Sequence, residues 1–153
     1  MLISPDSVRP SPLWRRLAAM FYDAFLLLAC VMVLGFVFFF INGGEAIVAG
    51  NPLLYALRTA IVATSLLFFA YFWSRQSQTL GMRAWRLVVV DEQGRSPGLW
   101  QASLRWFMAL ITLLPLGVGL WWSLFDRDKR TLYGRFSRTR LYLLAENPYK
   151  KVP

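Results

Sequence analysis

From Leu17 to Ile41 the chain is apolar, with one formal charge, Asp23. As a helix rising ~1.5 Å per residue, that run is long enough to cross a hydrocarbon core of ~30 Å. A second run, Leu53 to Trp73, is broken only by Arg58 near its start. At membrane depth the backbone must satisfy its own polar groups, so each run is expected to be a helix. Two such runs define a polytopic membrane protein.

Composition agrees. The hydrophobic share is 57%, with 12 Phe and 7 Trp, above the roughly 45–50% of soluble domains. The net charge of +9 would suit nucleic acid, but the basic residues flank the apolar runs and form no soluble basic face, so no nucleic-acid partner is expected. With no His and only Cys30, neither a disulfide framework nor a zinc or haem site is expected. No phosphate loop, G-x-S-x-G or metal-ligand spacing occurs, so no enzyme and no cofactor are expected. Arg15-Arg16 and the stretch ending at Cys30 superficially suit a cleaved signal. A signal's apolar core spans only ~7–15 residues before a polar mature start, whereas "VMVLGFVFFF" continues straight past Cys30. A retained helix is expected, with Cys30 an ordinary buried small residue.

Three parts follow: an irregular leader (1–14) holding Pro5, Pro10 and Pro12, a membrane domain (15–145) and a tail (146–153). Asn42 to Pro52 is a connection rich in turn residues, and Tyr71, Phe72 and Trp73 suit a membrane–water interface, as do Trp121 and Trp122. "TLGMR", Thr79 to Arg83, reads as a turn and a basic interfacial segment in which Gly81 lets the backbone bend. Leu87 to Val90 and Thr139 to Leu144 read as short strands, expected to pair because either alone would leave its backbone groups unsatisfied.

Between the strands, Trp106 to Phe125 is uncharged, but Pro115, Gly117 and Gly119 cut it in the middle. Arginines flank the first run at Arg9, Arg15 and Arg16, and Ser74 to Arg105 carries Arg75, Arg83, Arg86, Arg95 and Arg105; Asn42 to Pro52 carries no Lys or Arg. The positive-inside rule then puts the N-terminus and the central segment in the cytoplasm. A straight third span would carry the basic tail outside, against that rule. Two half-helices folded at Pro115 to Gly119 return it. The expected fold is an all-α polytopic membrane protein: two transmembrane helices, a Pro-broken third hydrophobic segment forming a helical hairpin, and a small cytoplasmic β-sheet.

"WRRLAAMFYDAFLLL", "QTLGMRAWRLVVVDEQGRSP" and "SLRWFMALITLLPLGVGLWWSLFDRDKRTLYGRFSRTRL" together resemble the RDD family of bacterial membrane proteins, named for one arginine and two aspartates. The resemblance runs from about Ser11 to Leu144. It implies a bacterial inner-membrane location, with Arg16 as the family's arginine and Asp23 as its first aspartate. The second aspartate belongs to a pattern like L-H-D-R-L-x-G-T, where this chain has Leu132-Tyr133-Gly134-Arg135-Phe136-Ser137-Arg138-Thr139. Gly134 replaces the aspartate, Tyr133 the histidine and Arg138 the glycine. Asp126 and Asp128 are the nearby carboxylates that remain. Transport or ion exchange is the activity the resemblance implies.

A carboxylate at the depth of Asp23 needs a receiver. Arg16 lies two helical turns away, ~10.5 Å along the axis, and Arg58 starts the second helix near the opposite end. Arg105 enters the third segment at a matching depth and is the expected ion-pair partner, with Gln101 and Ser103 as further hydrogen-bond donors. The site is then Arg16, Asp23 and Arg105, read either as a proton- or cation-linked site or as a structural pair; Arg16 also reads as a headgroup anchor. Arg127, Lys129, Arg130, Arg135 and Arg138, with Arg140, are expected to contact anionic lipid headgroups or to act in topological retention alone. Two functions stay open: an oligomer transporting a small cation or solute, or a non-catalytic scaffold or accessory subunit binding a partner or anionic lipid through its basic face. The expected partners are the lipid bilayer and a second copy or another membrane protein.

Overall fold

The computed structural model describes residues 8–113, 117–126 and 130–145. Along the chain these form β1 (Val8–Pro10), α1 (Leu13–Ile41), α2 (Leu53–Gln76), α3 (Leu80–Ala84), β2 (Leu87–Asp91), α4 (Leu99–Leu113), α5 (Val118–Phe125), α6 (Leu132–Phe136) and β3 (Thr139–Leu144). Helices α1 and α2 are both long and apolar enough to span a membrane. The most apolar window of α1 has no buried residue: Met32, Val33, Phe36 and Phe40 all point away from protein. In a bilayer that bare surface faces lipid. The connection between the two helices is tied by asparagines, with Asn51 Nδ2 donating to Asn42 Oδ1 (2.9 Å) and Asn51 Oδ1 accepting from the Leu53 amide.

The mass of the protein sits at the N-terminal end of α1. There the sheet, of order β1-β3-β2, is antiparallel throughout. The two strands read from sequence do pair, Leu87 opposite Leu143 and Asp91 opposite Thr139. The leader contributes a third: Val8–Pro10 is an edge strand on β3, not irregular chain. Three residues containing a proline carry no alternation to read, and an edge position tolerates the missing amide. Strand β2 is buried along its whole length, which explains its unbroken Leu-Val-Val-Val run. Leu87 and Val89 join Ala19, Ala70, Trp73, Met82, Ala102 and Trp106 beneath the helices. Val88 and Val90 meet Leu144 on the opposite face.

Past β2, α4 and α5 pack against each other and against α6, which leads into β3, so the described part of the third hydrophobic segment is a pair of short helices. Pro115 lies outside the described residues. Gly117, at φ +72, caps α5, and a Cβ on Gly119 would collide with the Thr112 side chain. Gly117 thus permits the start of α5, and Gly119 its close approach to α4.

The architecture also repeats internally. Thr79-Leu80-x-x-Arg83-x-x-Arg86 and Thr131-Leu132-x-x-Arg135-x-x-Arg138 follow one pattern. In each, the threonine hydroxyl accepts the amide three residues on, from Met82 or Gly134. A five-residue helix follows, then an arginine at positive φ (57° at Arg86, 52° at Arg138), then a strand. The pairing of β2 with β3 respects the repeat: Leu87–Leu143 and Asp91–Thr139 exchange with each other, and Val89–Leu141 maps onto itself. Past β1 the element order is therefore two α-α-α-β runs, whose strands pair about a local two-fold at Val89–Leu141. In that order α4 and α5 take the places of the longer α1 and α2.

Candidate functional site

Asp23 lies on the face of α1 that meets α3, and it is 4% exposed. Its Oδ2 accepts from the Thr79 hydroxyl (2.5 Å) and its Oδ1 from the Gly81 amide (2.9 Å). Thr79 is also the N-cap of α3, accepting from the Met82 amide at 3.1 Å. Gly81 is fixed by space as well as by its amide. A Cβ there would run into the Ala19 carbonyl oxygen and stand 2.8 Å from Asp23 Oδ1. Gly81 is thus a contact point between helices, where bending alone was expected.

The expected ion pair between Asp23 and Arg105 does not form. Among the described residues the ion pairs are Asp91–Arg95 (3.3 Å) and Asp126–Arg135 (3.5 Å). Depth matching pointed to a shared region, and both residues line one cavity. It left open the direction each side chain takes around its helix. Asp23 turns to α3; Arg105 turns to α6 and β3, where Nη1 donates to Thr139 Oγ1 (2.7 Å). The Arg105 guanidinium lies between the rings of Trp73 and Tyr133, at 5.1 and 4.8 Å from their centroids, an attractive arrangement for a cation. Gln101, expected near Asp23, instead accepts from the Gly98 amide at the start of its own helix.

Arg16 lines the same cavity. Its Nε donates to Ser11 Oγ (2.7 Å), and Ser11 Oγ donates to the Leu141 carbonyl (3.2 Å), tying the start of α1 to β3. Of the basic residues assigned to headgroups, Arg135 and Arg138 are exposed and Arg130 is half-buried. Arg127 and Lys129, and Asp128 with them, lie outside the described residues. Asp126 accepts from the Arg130 amide and from Arg135 Nη1, so it serves the turn before α6.

The cavity occupies about 540 Å³ between α1, α2 and α4. Its walls are largely apolar, with Leu27, Phe69 and Leu110 at one end and the two arginines and Tyr133 at the other. No group of three potential metal ligands occurs among the described residues. Thr79, Gly81, Tyr133 and Thr139 belong to this site and were not singled out for it by sequence reasoning. The internal repeat, which contains the first three and ends one residue before Thr139, was the signal that could have found them.

Two candidate spans over a small sheet, with a carboxylate and two arginines buried where they meet, suggest a membrane protein. Residues 10–138 match the RDD family, and the chain belongs to that family. Comparison with curated proteins and with solved structures gave no further match.

Proposed function

We propose that this RDD-family protein is a non-catalytic membrane scaffold or accessory subunit, set in the bacterial inner membrane with both termini cytoplasmic. The observation that carries this reading is the state of Asp23. Both carboxylate oxygens are held by α3, so the group works as a clasp between α1 and α3. A carrier of protons or cations needs a carboxylate that changes partners during its cycle. The bare flanks of α1 and α2 supply surface for a second copy or another membrane protein. The arginines of α6 and its flanks face the side where anionic headgroups attract basic residues, by ~1 kcal/mol each.

The test is reconstitution. Proteoliposomes carrying the wild-type chain should show no cation or proton flux above protein-free vesicles, while Asp23→Asn should lower thermal stability. Flux by the wild type that Asp23→Asn abolishes, with stability retained, would replace the scaffold with a transporter.

A further inference from the structure

Arg105 is 3% exposed. Among the described residues it donates one hydrogen bond, to Thr139, and no carboxylate lies within ion-pairing distance. Its Nε is buried without an acceptor. The rings of Trp73 and Tyr133 attract the guanidinium but cannot neutralise it. A buried charge in this condition is costly unless an anion joins it.

The position that would have supplied the anion is empty of side chain. A Cβ on Gly134 would stand 3.3 Å from Arg105 Nη1, and Gly134 is where the family pattern described above places its second aspartate. The one carboxylate lining the cavity among the described residues, Asp23, is engaged elsewhere.

We infer that the cavity between α1, α2 and α4 binds one anionic membrane lipid, its headgroup anion against Arg105 and an acyl chain along the apolar walls. The cavity is graded as such a ligand is graded. Arg16, Arg105 and Tyr133 line the end next to the sheet, and Leu27, Phe69 and Leu110 line the other. From Arg16 to Leu27 the wall of α1 runs ~16 Å toward the membrane interior. Leu110 is exposed and opens the apolar end to the bilayer. The volume of about 540 Å³ falls within the roughly 300–1,000 Å³ of small-molecule sites. A phosphate or carboxylate matches the fork of an arginine, and a free inorganic anion would leave the apolar length uncovered. This inference is independent of the scaffold reading.

The experiment uses the full chain in phosphatidylcholine nanodiscs, titrated with phosphatidylglycerol and read by native mass spectrometry and thermal midpoint. One phosphatidylglycerol per chain should be retained in preference to phosphatidylcholine. Arg105→Gln should weaken retention roughly tenfold, the scale of one charge-assisted hydrogen bond. Two further variants keep Arg105 and so guard against a simple folding failure. Ala109→Trp fills the apolar wall and should expel the lipid. Gly134→Asp supplies an internal counterion and should also reduce retention while raising the lipid-free thermal midpoint. Equal retention of both lipids, undiminished retention in Ala109→Trp, or a thermal shift from inorganic phosphate equal to that from phosphatidylglycerol would each overturn the inference.

Discussion

Asp23 shows how a charged residue in an apolar helix becomes a structural device. Its two hydrogen bonds replace water for the carboxylate, and they also satisfy the Gly81 amide and the Thr79 hydroxyl. Asp23→Ala strands both donors, so it should destabilise by about 3 kcal/mol, given ~1–3 kcal/mol for each buried group left unsatisfied. Asp23→Asn retains one acceptor oxygen and should cost less. Because Arg105 is not its partner, Arg105→Ala should shift the thermal midpoint by the same amount in the wild type and in Asp23→Ala, and a coupling between the two changes would revive the ion pair. The glycines make a parallel contrast. A methyl at Gly81 meets backbone, which cannot rotate aside, so Gly81→Ala should fall in the ~1–3 kcal/mol range of overpacking or above it. At Gly134 the tightest neighbours of a Cβ are Thr131 Oγ1 and the Thr139 carbonyl, each at 3.0 Å. Gly134→Ala should therefore be the milder of the two.

At the scale of elements, the long helices and the β2–β3 pair were readable because each carries enough residues for a period or a run. Helices α3 and α6 were not, since five residues hold little more than one turn and no apolar stripe. What marks them is the recurrence of Thr-Leu-x-x-Arg-x-x-Arg, which a search for periodicity passes over. The two threonine caps are not equal in weight. Thr131→Ala should cost about 1 kcal/mol, the usual loss of an N-cap. Thr79→Ala should cost more, because that hydroxyl also donates to Asp23. The repeat also explains a departure from the family pattern. Arg138 stands where the pattern has glycine, and its φ of 52° lies in the left-handed region, which costs an L-residue roughly 1–2 kcal/mol. Arg138→Gly should raise the thermal midpoint, against the ordinary tendency of glycine to loosen a fold.

For the whole molecule, the sheet fixes what charge counting could only suggest. Strands β1 and β3 are hydrogen-bonded neighbours, Val8 opposite Leu144 and Pro10 opposite Tyr142, so the chain before α1 and the chain after α6 must lie on one side of any membrane that α1 and α2 cross. Strand β2 pairs with the same β3, which brings the segment after α2 to that side as well. Among the described connections only Asn42 to Pro52 is left for the other side, and it carries no Lys or Arg. Geometry thus groups the segments, and the proposed cytoplasmic orientation of the group rests on the positive-inside rule. Single cysteines in a Cys30→Ala background test both steps, placed at the exposed positions Arg9, Glu45, Glu92 and Ala145. With a membrane-impermeant thiol reagent on spheroplasts, Glu45→Cys should label at once, and the other three only after the membrane is opened. Labelling of Arg9→Cys and Ala145→Cys from opposite sides would break the β1–β3 pairing itself, since hydrogen-bonded strands cannot be parted by a bilayer. Reversal of all four together would leave the fold intact and overturn only the orientation.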